Sequence, residues 1–125
     1  NIRESVPKIV KRITRALGRS HFDYIFTHGY NGEYGHPRHK GVHRAVIKLA
    51  RRKTFAAHRI FTFAYRLNAE GTFAVPETST GYAVTLTPQL FKAKRRGVHS
   101  LYGFKENTFE YKSAGRRETF NLSHI

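Results

Sequence analysis

Two β-rich runs separated by an amphipathic helical stretch constrain this chain more than any other feature. "FDYIFTH" (22–28) is short, aromatic and β-branched, as a buried strand requires. "RIFTFAYRL" (59–67) reads the same way. Between them, from Lys40 to about Lys53, Val42, Ala45, Val46, Leu49 and Ala50 recur at helical spacing. Lys40, Arg44, Lys48, Arg51 and Arg52 fall on the opposite face. Strand, helix and strand in that order favour an α/β domain with a partly parallel sheet. The loop that leaves the first strand then lies at a carboxyl end, where such sheets hold ligands.

The flanks extend this pattern. "ESVPKIVKRITRALG" places Val6, Ile9, Val10, Ile13 and Leu17 on one helical stripe, with Pro7 in the first turn and Gly18 at the stop. "GYAVTLT" (81–87) is a further strand, and Thr87-Pro88 is an N-cap followed by a first-turn proline. The helix they open is expected to run to about Tyr102 with Leu90, Phe91, Val98 and Leu101 inward. No repeat, low-complexity tract or linker interrupts residues 1–125, so the chain reads as a single unit.

Charge narrows the partners. The chain has 23 Lys and Arg against 8 Asp and Glu, a net +15. That excess fits either a solvated basic surface or an anionic partner: nucleic acid, a membrane face or a phosphorylated substrate. Because the cations are spread along the chain, composition leaves both readings open. The absence of cysteine excludes disulfides, thiolate metal sites and a cysteine nucleophile. No apolar run reaches the length of a membrane span and no signal-peptide core is present; a cytoplasmic location is expected. Methionine is absent too, and the sequence starts at Asn1 in a helical stretch. We therefore expect the chain to be the later part of a longer protein.

The loop after the first strand carries the candidate chemistry. In "NGEYGHPRHKGVH" (31–43), His36 and His39 are three apart, and His39 and His43 are four apart. If a helix begins near Pro37, His39 and His43 share one side of its first turns, a spacing at which imidazoles bind zinc. Glu33 lies just upstream, and Gly29, Gly32 and Gly35 let backbone approach a ligand. The same spacing also suits histidines that merely flank an apolar face or extend a basic surface. Spacing alone leaves these alternatives open.

"FDYIFTHGYNGEYGHPRHKGVHRAV" (22–46) resembles the second signature segment of the PIG-L/LmbE-type metal-dependent de-N-acetylases. There a strand ends in a Thr-His-like pair, a Gly-Glu-Tyr-Gly-His-Pro-x-His loop follows, and the next helix carries a further histidine. "LTPQLFKAKRRGVHSLYGF" (86–104) is similar, more weakly, to the family's closing helix. The resemblance implies a Rossmann-like layered sheet with flanking helices, of which this chain is the C-terminal part. It implies a zinc-dependent hydrolase, or one using another divalent metal, that removes the N-acetyl group from an N-acetylglucosamine-type sugar conjugate. By the same resemblance His39 is a metal ligand, and His36 is the catalytic histidine that stabilises the tetrahedral intermediate or protonates the leaving amine. His28, Glu33 and His43 would orient the ligands or touch substrate.

Two departures qualify that picture. Position 38 is Arg where the family commonly has Asp, which alters the charge beside the site. The family's first signature, His-Pro-Asp-Asp-Glu, is missing; it supplies two of three metal ligands and the general base. The expectation is that a preceding segment of the same protein provides it, and that metal is incompletely coordinated without it. Two other readings remain: a basic nucleic-acid-binding module, supported by charge interleaved with aromatics in 91–105, and a non-catalytic sugar-binding homologue. Nucleic acid is the less favoured partner, since the basic residues lie opposite apolar helix faces and no base-reading motif is present. An anionic group or membrane surface stays open as a partner of the basic face.

Overall fold

A computed structural model describes residues 4–125. The element order is α1 (Val6–Leu17), β1 (His21–Thr27), α2 (Gly32–Gly35), α3 (Pro37–Arg51), β2 (Ala56–Phe63), β3 (Tyr65–Leu67), β4 (Ala74–Pro76) and β5 (Tyr82–Thr85). Then come α4 (Pro88–Arg96), a π-turn (Gly97–Leu101), α5 (Phe109–Ser113) and β6 (Arg117–Ser123). The fold is mixed α/β. Four strands form one sheet in the order β1-β2-β6-β5, and β3 pairs with β4 in a separate ribbon. β1 and β2 are parallel, joined through α3, and β6 runs antiparallel to both β2 and β5.

The core lies where α3 meets the parallel pair. Val46, Leu49, Phe55 and Ile60 are buried together, with Val10, Ile13, Phe22, Ile25 and Val42 packed around them. α1 crosses α3 closely because Gly41 has no side chain: a Cβ there would stand 2.9 Å from Ile9 Cδ1. The expected face of α3 is the observed one, with Ala45, Val46 and Leu49 buried and Arg44, Lys48 and Arg51 exposed. The helix starts three residues before Lys40, because Pro37 already fits its first turn.

The run expected as one strand over 59–67 is two elements. At Ala64 the chain leaves the main sheet; the Ala64 N–H bonds Thr119 O at 2.9 Å, and Tyr65 turns to pair with Pro76 instead. The stretch from 81 to 87 is a strand only over Tyr82–Thr85. Thr87 caps α4 as expected, accepting the Leu90 N–H at 3.3 Å. The expected inward face of that helix holds only in part: Phe91 and Val98 are half-buried, but Leu90 and Leu101 are not. Leu90 is 57% exposed and Leu101 84% exposed, and α4 buries no residue fully. Lys94 and Arg95 turn inward instead, where Glu118 and the rings of Phe91 and Tyr111 receive their charges.

The sheet has a second face, built from aromatic rings. Phe26 stacks on Phe61 at 5.4 Å between ring centroids and meets Phe120 edge-on at 5.3 Å, while Tyr82 meets Phe61 at 5.1 Å. Tyr24 and Phe26 are each 55% exposed there.

Candidate metal centre

β1 ends at Thr27, and His28, Gly29 and Tyr30 lead away from its carboxyl end. The backbone can turn there only because residue 29 is glycine. A Cβ at Gly29 would lie 2.5 Å from Phe63 O and 2.8 Å from Asn31 Oδ1, inside van der Waals contact. Asn31 then organises the irregular turn α2. Its Oδ1 accepts the Glu33 N–H at 3.1 Å, and its Nδ2 donates to Tyr65 O at 2.8 Å, tying the loop to β3.

Glu33 is the centre of the site and is held in a strained conformation. Its φ is 61° and ψ −55°, a region that non-glycine residues visit at a cost of about 1–3 kcal/mol. Every polar group of its side chain has a partner that fixes it there. Oε1 accepts the Gly29 N–H at 2.7 Å. Oε2 takes two imidazoles, His28 Nδ1 at 2.9 Å and His39 Nδ1 at 2.5 Å. Burial pushes the Glu33 carboxyl up, but the bonds from His28, His39 and Gly29 outweigh it and hold the pKa down at about 2. The group is therefore a carboxylate at any ordinary pH.

The two imidazoles that share Glu33 lie face to face, ring centroids 3.8 Å apart and planes 11° from parallel. His36 stacks in turn on His39 at 4.4 Å. Its position before Pro37 makes it the cap of α3: Nδ1 accepts the Arg38 N–H at 3.2 Å. That bond leaves the proton of the neutral ring on Nε2. Burial lowers the His36 pKa, and repulsion from His39, Arg38 and His28 lowers it further against the pull of Glu33, so the ring is mainly neutral near pH 7. Arg38 is thus one of the cations that lower the His36 pKa. His43, one helical turn beyond His39, donates Nδ1–H to the His28 carbonyl at 2.9 Å and braces the loop from the helix side.

All five histidine and glutamate residues singled out from the sequence thus meet in one place. His28, Glu33 and His39 each offer a ligand atom within 4.8 Å of the others, and this group could hold a metal ion. Its donor chemistry fits: imidazoles ligate divalent first-row metals, and a carboxylate beside them can ligate in turn or orient their rings. Asn31 and Tyr34 were not picked out from the sequence. An Asn before Gly is a turn-forming signal that would have found the first. Tyr34 packs edge-on to His36 and His39 at 5.7 and 5.5 Å, and against Phe109 of α5 at 4.6 Å. Nothing local announces a contact with a residue so far along the chain.

Comparison with known proteins returns no match: no family model, no curated protein and no solved structure.

Proposed function

We propose that this chain carries the histidine-rich part of a divalent-cation centre in an amide hydrolase. Its substrate is an N-acetyl group on a glucosamine-type sugar conjugate. The observation that carries this reading is the pair of bonds from His28 and His39 onto one oxygen of Glu33. A carboxylate that accepts Nδ1–H from an imidazole leaves Nε2, in the neutral ring, with the free lone pair by which histidine ligates. His28 and His39 would thus hold the cation, with Glu33 orienting them; zinc suits such a donor set. Bound there, a divalent cation would supply Lewis acidity toward an amide carbonyl and make water a better nucleophile.

The chain's own residues divide the remaining work. His36 Nε2–H is a neutral donor beside the cluster, placed to bond the carbonyl oxygen as it gains negative charge. A neutral imidazole at a helix N-terminus is suited to that task, because it donates without having to lose a full charge. His43 keeps His28 in place through the backbone. Further ligands and a general base come, in this reading, from a preceding segment of the same protein, and the β1–α3–β2 unit belongs to a Rossmann-like sheet.

Two measurements test the proposal. Zinc titrated into metal-free protein should bind in a calorimeter at a site that His39→Ala removes. The intact protein should release acetate from an N-acetylglucosamine conjugate only when metal is supplied. Failure of the wild-type protein to bind any divalent cation would refute the centre; binding without metal-dependent acetate release would refute the reaction.

A further inference from the structure

α4 and its π-turn expose both apolar residues and cations to water. Between Pro88 and Lys105 the sequence has five cations (Lys92, Lys94, Arg95, Arg96 and Lys105) and no acidic residue. Two of those cations point inward. Lys94 Nζ bonds Gly115 O at 2.9 Å and pairs with Glu118, while the Arg95 guanidinium lies over Phe91 at 4.6 Å and Tyr111 at 4.9 Å. Leu90, Leu101 and Tyr102 are exposed, while Phe91, Val98 and Phe104 are half-buried. Leu101 is the most exposed of the large hydrophobic residues described, and Tyr102 beside it is 77% exposed. Leu90, eleven residues before Leu101 in the first turn of α4, is also exposed.

The π-turn makes this a built surface. It follows α4 directly, so Pro88 to Leu101 is one continuous helical run. Backbone bonds close the turn: Tyr102 N–H to Gly97 O and Phe104 N–H to Val98 O, both at 3.2 Å, with Gly103 at φ 75° allowing the reversal. Leu101 and Tyr102 are exposed at the end of the π-turn, and Lys92, Arg96 and Lys105 are exposed in the same segment.

We propose that this surface binds an anionic phospholipid bilayer. Leu101 and Tyr102 enter the boundary between headgroups and acyl chains, and Lys92, Arg96 and Lys105 meet lipid phosphates. The chemistry selects this occupant over two others. Single-stranded nucleic acid would stack on Tyr102 but gives Leu90 and Leu101 no apolar phase to enter. A second copy of the chain would bring two clusters of cations against each other. No helix among the described residues is long and apolar enough to cross a membrane. This inference stands independently of the metal centre, although α5 links the two: Tyr111 meets His99 of the π-turn, and Phe109 meets Tyr34 of the site.

Vesicle co-sedimentation tests it. The protein should bind vesicles of phosphatidylcholine with about a quarter phosphatidylglycerol at least ~10-fold more tightly than pure phosphatidylcholine, and less so at high salt. The double substitution Leu101→Ser, Tyr102→Ser should lower binding to the anionic vesicles by about tenfold with retention on heparin and circular dichroism unchanged. Lys92→Gln with Arg96→Gln should lower both vesicle binding and heparin retention. Equal vesicle binding by the serine variant and the parent would overturn the proposal, as would no preference for anionic lipid. A single-stranded RNA oligonucleotide bound more tightly than the vesicles, or a dimer that the serine variant abolishes, would overturn it in favour of those occupants.

Discussion

Glu33 sets the behaviour of the site at the scale of single residues. It joins two stacked imidazoles, a backbone N–H and its own strained backbone, so the carboxylate is needed to hold the conformation. Its pKa is lowered from the ordinary value to about 2, so the stabilisation it gives is complete above the unfolded carboxyl range near 4.5. That stabilisation is lost as pH falls from about 4.5 toward 2, and the depression corresponds to about 3 kcal/mol at most. Denaturant midpoints measured across that window should fall more steeply for the parent than for Glu33→Gln; parallel curves would show that Glu33 is not coupled to folding. On the proposed reading the histidines separate by role. His39→Ala should abolish metal binding, because the imidazole that Glu33 orients is gone. His36→Ala should leave metal content intact and slow turnover by about 10²–10³, roughly 2.7–4 kcal/mol, with little change in KM. Metal analysis with steady-state kinetics decides the matter: loss of metal from the His36 variant would merge the two roles.

Elements show which glycines matter and how far the sequence could be read. Gly29 and Gly41 both lack room for a methyl group, but their neighbours differ. At Gly29 the obstacle is the Phe63 carbonyl, part of β2, so Gly29→Ala must displace backbone and should destabilise by about 1–3 kcal/mol. At Gly41 the obstacle is the end of the Ile9 side chain, which can rotate, and alanine gains about 1 kcal/mol of helix propensity. Gly41→Ala should therefore change stability by less than about 1 kcal/mol. Thermal or denaturant unfolding of the two variants compares them directly, and equal losses would mean that α1 holds Ile9 rigidly. The helices α1 and α3, the strand β1 and the cap at Thr87 were legible because periodicity and end signals agree there. The histidine loop was legible because its residues are close in sequence. The face of α4 was legible only in part, since Lys94 and Arg95 are drawn inward by Glu118 and Tyr111, which lie beyond the region assigned to elements. For the same reason β6, which inserts between β2 and β5, had no local mark: "RETFNLS" lacks a strong alternation, and only its partners make it a central strand.

On the scale of the whole molecule, opposing forces act on the sheet. α1 and α3 cover one face, but Tyr24, Phe26, Tyr82 and Val84 leave the other partly open to water, and β1 has no strand on its outer side among the described residues. An open edge beside an exposed aromatic face favours association. Against this stands the net charge of +15, which repels like chains at long range. The balance depends on ionic strength, because salt screens charge over about 8–10 Å near 0.1–0.15 M while leaving apolar contact intact. Sedimentation velocity should therefore show mainly monomer at low salt and growing oligomer as salt is raised. Tyr24→Ser with Phe26→Ser should suppress the oligomer. Leu101→Ser with Tyr102→Ser should not, since those residues lie at the π-turn rather than on the sheet. If association instead weakens with salt, the contact is electrostatic and the aromatic face is not its cause.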